Sequence, residues 1–320
     1  MWREIVEREK IAVGNPGKEE KNKKKFDVGG QALIEGVMMR SPFRLAMAVR
    51  KPNGDIVVEV KEGKPITRKY PFLALPIIRG VVSLIDSLVV GIKSLSYSAS
   101  LALEEEEEKL SSMDIGISIL LALGIFAGLF VALPTFLSSL VDQFISSTFA
   151  YNLVEGLIRI GIFLVYLLLI SQMKDIKRVF EYHGAEHKAI FTWENGEELT
   201  PENARKFTTL HPRCGTNWLI IVLIISIFVF SFLGRPGLVM RIVSRLLLIP
   251  LVAGLAYEAI KILSRHQDNR LAYILTLPGL LLQRITTREP DDSQLEVAFA
   301  ALKGSLGEDY YVAGENQGNS

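Results

Sequence analysis

Two stretches of this chain run uncharged over lengths that suit a bilayer. Between Asp114 and Asp142 lie 27 residues without a charge, and between Arg213 and Arg235 lie 21 more. A helix needs roughly 20 apolar residues to cross a membrane, and it satisfies its own backbone polar groups where no water can. Both stretches are therefore read as spans. A third covers residues 156–173, interrupted by Arg159 one turn inside its end, where the guanidinium is expected to snorkel to the interface. A fourth, over residues 239–262, is weaker: only Leu246 to Tyr257 is free of charge, a length that also suits a buried or re-entrant segment. The expected fold is a mainly α-helical polytopic membrane protein with about four transmembrane helices.

Basic residues orient these spans. The first connection, residues 137–150, has no Lys or Arg, whereas the second carries Lys174, Lys177, Arg178, Lys188, Arg205, Lys206 and Arg213. Basic loops stay cytoplasmic, so residues 174–216 are expected inside, and counting crossings puts both termini inside as well. Lys18, Lys21, Lys23, Lys24 and Lys25 near the start and Lys261 and Arg265 after the last span agree; Arg235 and Arg241 on a short outer connection run against it. Residues 1–26 are charged and hold no signal-peptide core, so the first span is expected to act as its own insertion signal. A single cysteine excludes an internal disulfide. A formal net charge of +1 gives no general attraction to nucleic acid, and the bilayer is the partner implied.

Ahead of the spans, residues 1–27 read as a mobile charged tail. Residues 28–70 read as a small cytoplasmic β-containing unit, with two β-prone runs around Asn53-Gly54 forming a hairpin. Such a unit is too small to bury a core alone and must dock on something. Residues 71–110 read as an amphipathic or interfacial helix on which Arg79, Asp86 and Lys93 recur every seventh position as one polar line. That line is either a solvated edge or a seam facing a partner helix or a second subunit, the latter implying a homo-oligomer. The run Glu104 to Glu108 reads as solvated charge. Spans are then expected at 111–173 and 217–263, and 264–320 as a re-entrant or interfacial segment around Pro278-Gly279, a cytoplasmic helix opened by a capping box at Ser293 to Glu296 and running to about Leu302, and a loose tail.

The scarcest side chains gather in one loop. Of four histidines, three fall with the sole cysteine in a 32-residue polar stretch: His183-Gly-Ala-Glu186-His187, then His211-Pro-Arg-Cys214. Imidazole and thiolate are ligands for zinc or iron. If a helix continues from the second span, His183 and His187 at i and i+4 share a face and hold one ion, with Glu186 on nearly the same side to deprotonate water. His-x-x-Glu-His is also the signature of inverted zinc peptidases, although their wider context is missing. Thr200-Pro201 reads as the cap and first turn of a short helix ending near His211, which returns the chain to the membrane where the first pair emerged. Four protein ligands would close the site as a structural one, and three would leave it open for catalysis. Glu258, an acid near the inner end of the fourth span, either joins the site or pairs with Lys261.

The run from Gly29 to Arg40, the block Glu181 to Lys188, His211-Pro-Arg-Cys-Gly-Thr216 and Thr287-Arg-Glu-Pro290 together resemble the YqhQ-like family of bacterial membrane proteins, over nearly everything from Val28 to about Ala301. The resemblance implies a multi-pass protein of the bacterial inner membrane. That family is described as predicted metal-dependent enzymes of unknown function, so it also implies a metal but no substrate. Two function classes follow. One is a membrane-bound metal-dependent hydrolase at the cytoplasmic face, with His183, His187, His211 and Cys214 around zinc (iron as the alternative) and Glu186 as base. The other is a non-enzymatic assembly or transport protein in which the metal only staples the loop.

Overall fold

The computed structural model describes residues 28–62, 70–102, 112–265 and 269–307. Four strands form an antiparallel meander in the order β1 (Gly29–Leu33), β2 (Gly36–Arg40), β3 (Arg44–Arg50) and β4 (Ile56–Glu62). The turn at Asn53-Gly54 joins β3 to β4 as expected, and Ile34-Glu35 joins β1 to β2 with Glu35 at φ 51°. Polar and apolar residues do not alternate in the two central strands: Val37, Met38 and Met39, then Ala46 to Val49, are buried one after another. Both faces of the sheet are covered, which is what such continuous runs require.

The covers are helices distant in sequence. On one face Leu33, Met38 and Met47 meet Val90, Leu95 and Tyr97 of α1 (Ile78–Ala102). On the other, Val37, Met39 and Ala48 share a core with Tyr182, Ala185 and Ala189 of α5 (Lys174–Glu194) and Leu295, Ala298 and Leu302 of α10 (Asp292–Leu306). Two residues of the polar line of α1 are paired within the molecule: Arg79 meets Glu258, and Asp86 takes a 2.8 Å bond from Arg40. Glu258 therefore pairs with Arg79 and lies away from the histidine loop.

The apolar helices depart from the expected boundaries. α2 (Ser112–Ala127) widens into one π-helical turn, Gly128–Ala132, before α3 (Leu133–Ser139). Pro134, whose ring cannot coexist with a regular preceding turn, accounts for the widening. α4 (Thr148–Ile170) is capped by Ser147, and α5 begins anew after a break at 171–173 instead of continuing from it. After α6 (Pro201–Ala204) come α7 (Gly215–Ser231), α8 (Leu238–Arg265) and α9 (Arg270–Thr286). Among the described residues three helices are long and apolar enough to cross a membrane: Gly116–Ser139, Thr148–Ile170 and Leu238–Leu263. α7, expected among the strongest spans, is shorter at 17 residues because Gly234, Pro236 and Gly237 lie just beyond it. α8, expected as the weakest, runs 28 residues, and within it Arg241 pairs with Tyr151, Arg245 with Glu155 and Glu258 with Arg79.

Those partners form a buried polar network. Arg159 does not reach an interface: α4 begins well before residue 156, which carries Arg159 into the helix interior at 5% exposure, bonded to Glu155 (2.8 Å), Ser226 (3.2 Å) and the Phe130 carbonyl (3.0 Å). Arg245 shares the same Glu155 at 2.9 and 3.0 Å. At that end of the helices Arg235 reaches Asp142 at 3.0 Å, and Arg241 donates to the Tyr151 hydroxyl.

Near the C-terminus, α9 is one helix that runs unbroken through Pro278, and it packs on α7. The capping box of α10 pairs Asp291 with Gln294, two residues earlier than expected, and the helix continues to Leu306. The expectations for residues 1–27, for Glu104 to Glu108 and for the tail beyond residue 307 lie outside the described residues.

Candidate metal centre

Helix periodicity brings the first two histidines together as expected. On α5 the rings of His183 and His187 stand 4.5 Å apart, and Cys214, at the N-cap of α7, closes on them from the loop. Ligand atoms of His183, His187 and Cys214 all lie within 4.8 Å of one another. The Cys214 thiol donates to His183 Nε2 at 3.1 Å.

The other ring nitrogens are committed to backbone. His183 Nδ1 donates to the Thr286 carbonyl at 2.8 Å, and His187 Nδ1 donates to the Thr209 carbonyl. Each bond fixes the tautomer, leaving both Nε2 lone pairs aimed at the cysteine; backbone carbonyls orient metal-binding histidines in this way. His187 Nε2 is buried and makes no hydrogen bond of acceptable geometry, an orphaned polar atom that an ion would satisfy. Burial pushes His187 down to about 4, so it is a neutral ligand at pH 7. Burial also pushes the Cys214 thiol up, but His187 and contacts with Thr216 outweigh it and hold the thiol below its ordinary range.

His211 stands outside this trio. Its ring is 5.4 Å from that of His187 and 4.6 Å from that of Phe191. Its Nδ1 accepts from the Arg213 N–H at 3.2 Å, so Nε2 carries the proton and lies 3.8 Å from Glu194, beyond hydrogen-bond reach. The expected cap Thr200 accepts from the Asn203 N–H, but α6 stops at Ala204, and residues 205–214 run to the cluster as loop. Its geometry makes His211 a wall beside the trio.

Glu186 is buried against the strand edge. Burial pushes its carboxyl up to about 8; Cys214 adds to the rise, while His183 and the Gly30 N–H oppose it. A Cβ at Gly30 would sit 2.9 Å from Cγ and Cδ of Glu186 and 2.6 Å from the Met38 carbonyl, so only glycine lets β1 lie so close. Glu186, His187, His211 and Cys214 line a cavity of about 320 Å³ with Gly29, Gly30, Arg40 and Arg213. A carboxyl of raised pKa in a cleft beside a thiol and imidazoles is a candidate for proton transfer.

Several supporting residues escaped sequence reasoning. A Cβ at Gly184 would collide with the Arg288 carbonyl, so this glycine lets residues 286–288 cross α5 closely enough for Thr286 to hold His183. Gln283 of α9 accepts from the His211 N–H at 2.7 Å and donates to its carbonyl at 2.9 Å. Buried Lys188 pairs with Glu289. The quoted blocks containing Gly30, Gly184 and Glu289 were the available signal; nothing local marked Gln283.

A family model described as "Protein of unknown function (DUF1385)" matches residues 75–308. "Uncharacterized protein YqhQ" of Bacillus subtilis (strain 168) is 33% identical over 297 residues, 87% of this chain and 92% of that protein. No solved structure matches the chain. The matched region contains every residue of the trio, Glu186 and the Gln283 support, and the chain belongs to the DUF1385, YqhQ-like family.

Proposed function

We propose that this protein is a membrane-bound, metal-dependent hydrolase whose site faces the cytoplasm. The observation that carries this reading is the convergence of two backbone-locked imidazole Nε2 atoms and one thiol, with a buried carboxyl in the adjoining cavity. Nitrogen and sulfur donors suit zinc, with iron as the alternative. His183, His187 and Cys214 would hold the ion, and three protein ligands leave a position for substrate. Such an ion supplies Lewis acidity and lowers the pKa of water. Glu186, in its ionised form, takes a proton from the attacking water and returns it to the leaving group. Exposed large apolar side chains on the helices, such as Leu120, Leu169 and Leu247, support a bilayer around them, and the basic loop supports an inner-membrane protein with both termini inside.

Elemental analysis of gently purified protein tests the claim. About one zinc or iron per chain is expected, lost in His183→Ala and His187→Ala but retained in His211→Ala. A parent protein free of transition metal sinks the reading.

The assembly or transport alternative draws on Arg159 and Arg245 sharing one buried Glu155 among apolar helices, since charges at such depth often mark a pathway. It expects function to respond to Arg245→Gln and to be indifferent to Glu186→Gln.

A further inference from the structure

The metal-site cavity has a neighbour of opposite character. A second cavity, of about 300 Å³, lies between α7, α8 and α9, where Ile221, Ile260, Leu263, Ala272 and Leu280 give it an apolar wall, with Asn217, Tyr273 and Thr276 beside them. The two share Val28, Gly29, Arg213 and Cys214, so they meet at the cysteine of the trio. Each is at the small end of the range for ligand sites, and an apolar chamber holds water poorly. A ligand that fills both must be polar at one end and apolar at the other. The polar chamber presents Arg40 and Arg213, held in place by Asp86 and Glu194 respectively, and Glu186 is the one acid lining it. Guanidinium groups so fixed suit a phosphate or carboxylate.

We propose that the substrate is a single-chain amphiphile with an anionic head over the His183, His187 and Cys214 trio and its hydrocarbon chain in the cleft between α7, α8 and α9. This rests on the hydrolase reading and names its substrate class. Gly29 lies at the junction, and a Cβ there meets nothing within 4 Å, so a larger side chain can be introduced without a backbone clash and would narrow the passage.

The test measures binding of dodecyl phosphate, butyl phosphate and inorganic phosphate to the full-length protein in lipid nanodiscs, corrected with empty nanodiscs, with metal content read on the same samples. Dodecyl phosphate is expected to bind at least about tenfold tighter than butyl phosphate, since each buried methylene contributes about 0.8 kcal/mol. Thr276→Trp, in the wall of the apolar cleft alone, should remove that preference while leaving metal content and butyl phosphate binding unchanged, and Gly29→Leu, at the junction, should weaken it. Butyl or inorganic phosphate binding as tightly as dodecyl phosphate overturns the amphiphile and leaves the metal reading standing. A chain-length preference in protein without metal overturns the metal reading and keeps the amphiphile. Should either variant fail to fold, a dodecyl phosphate with a terminal diazirine decides on the parent: crosslinks to Ile260 or Leu280 support the cleft, and crosslinks confined to outward positions such as Leu219 and Phe228 overturn it.

Discussion

At the scale of single residues, Glu186 separates chemistry from support. Glu186→Gln keeps size and can still accept from the Gly30 N–H, but it cannot take a proton. In the hydrolase reading activity is abolished with metal content unchanged; a residue that only oriented His183 or His187 would instead weaken metal binding by about 10- to 100-fold. The same pair of proteins carries a pH signature after chelation. Because folding raises the Glu186 pKa from 4.5 to about 8, the folded state holds a proton that the unfolded state has lost between those values. Its contribution is therefore fully present below pH 4.5 and declines as pH rises toward 8. The stability difference between parent and Glu186→Gln, from denaturant titrations, should shift against the parent across that window. A pH-independent difference would mean that the carboxyl is not protonated in the folded protein. His187 and His211, pushed down to about 4 by burial, act the other way, costing stability in both proteins as pH falls from 6.5.

At the scale of elements, the trio depends on how tightly α5, the 205–214 loop and α9 approach one another. Gly184→Ala must displace residues 286–288, loosening the carbonyl that fixes His183. Gln283→Leu strands the His211 N–H in a buried setting, at about 1–3 kcal/mol, and leaves the His211 carbonyl with the Cys214 N–H at 3.2 Å as its partner. Both variants should lower the melting temperature and weaken zinc binding although neither touches a ligand; unchanged zinc affinity in both would make the trio independent of its supports. What was legible beforehand was local. The pairing of His183 with His187 follows from helix periodicity, the Asn53-Gly54 hairpin from turn chemistry, and the Thr200 cap from side-chain bonding within one turn. Gly184 and Gln283 were not legible as supports, because Gln283 meets His211 across 72 residues and no local pattern announces that meeting. The same holds for Arg241 and Arg245, read as interrupting α8: Tyr151 and Glu155 on α4, which accept from them, lie 90 residues away in the chain.

At the scale of the whole molecule, the site end fixes how the helices can thread a membrane. Gln283 of α9 bonds His211 just before α7, and α10 packs on the same sheet as α5, so the chain leaves the site along α7 and returns to it along α8. These two helices therefore cross together or not at all, whatever the shortness of α7: 17 residues span about 26 Å against a hydrocarbon core of about 30 Å. The two connections at the other end touch, through Arg235 bonded to Asp142 at 3.0 Å and to the Ile145 carbonyl at 2.6 Å. Arg235 and Arg241, the basic residues that run against the orientation rule, both sit beside Asp142. The proposed function takes these helices as an even number of crossings with the site inside. Protease-cleavable tags at both termini and near Asn195 should be protected in intact cells, and a tag near Ser139 should be cut. Cleavage of the C-terminal tag with the Asn195 tag protected would separate the two ends of the α7–α8 hairpin, contradicting the Gln283–His211 contact itself; cleavage at Asn195 would turn the site outward.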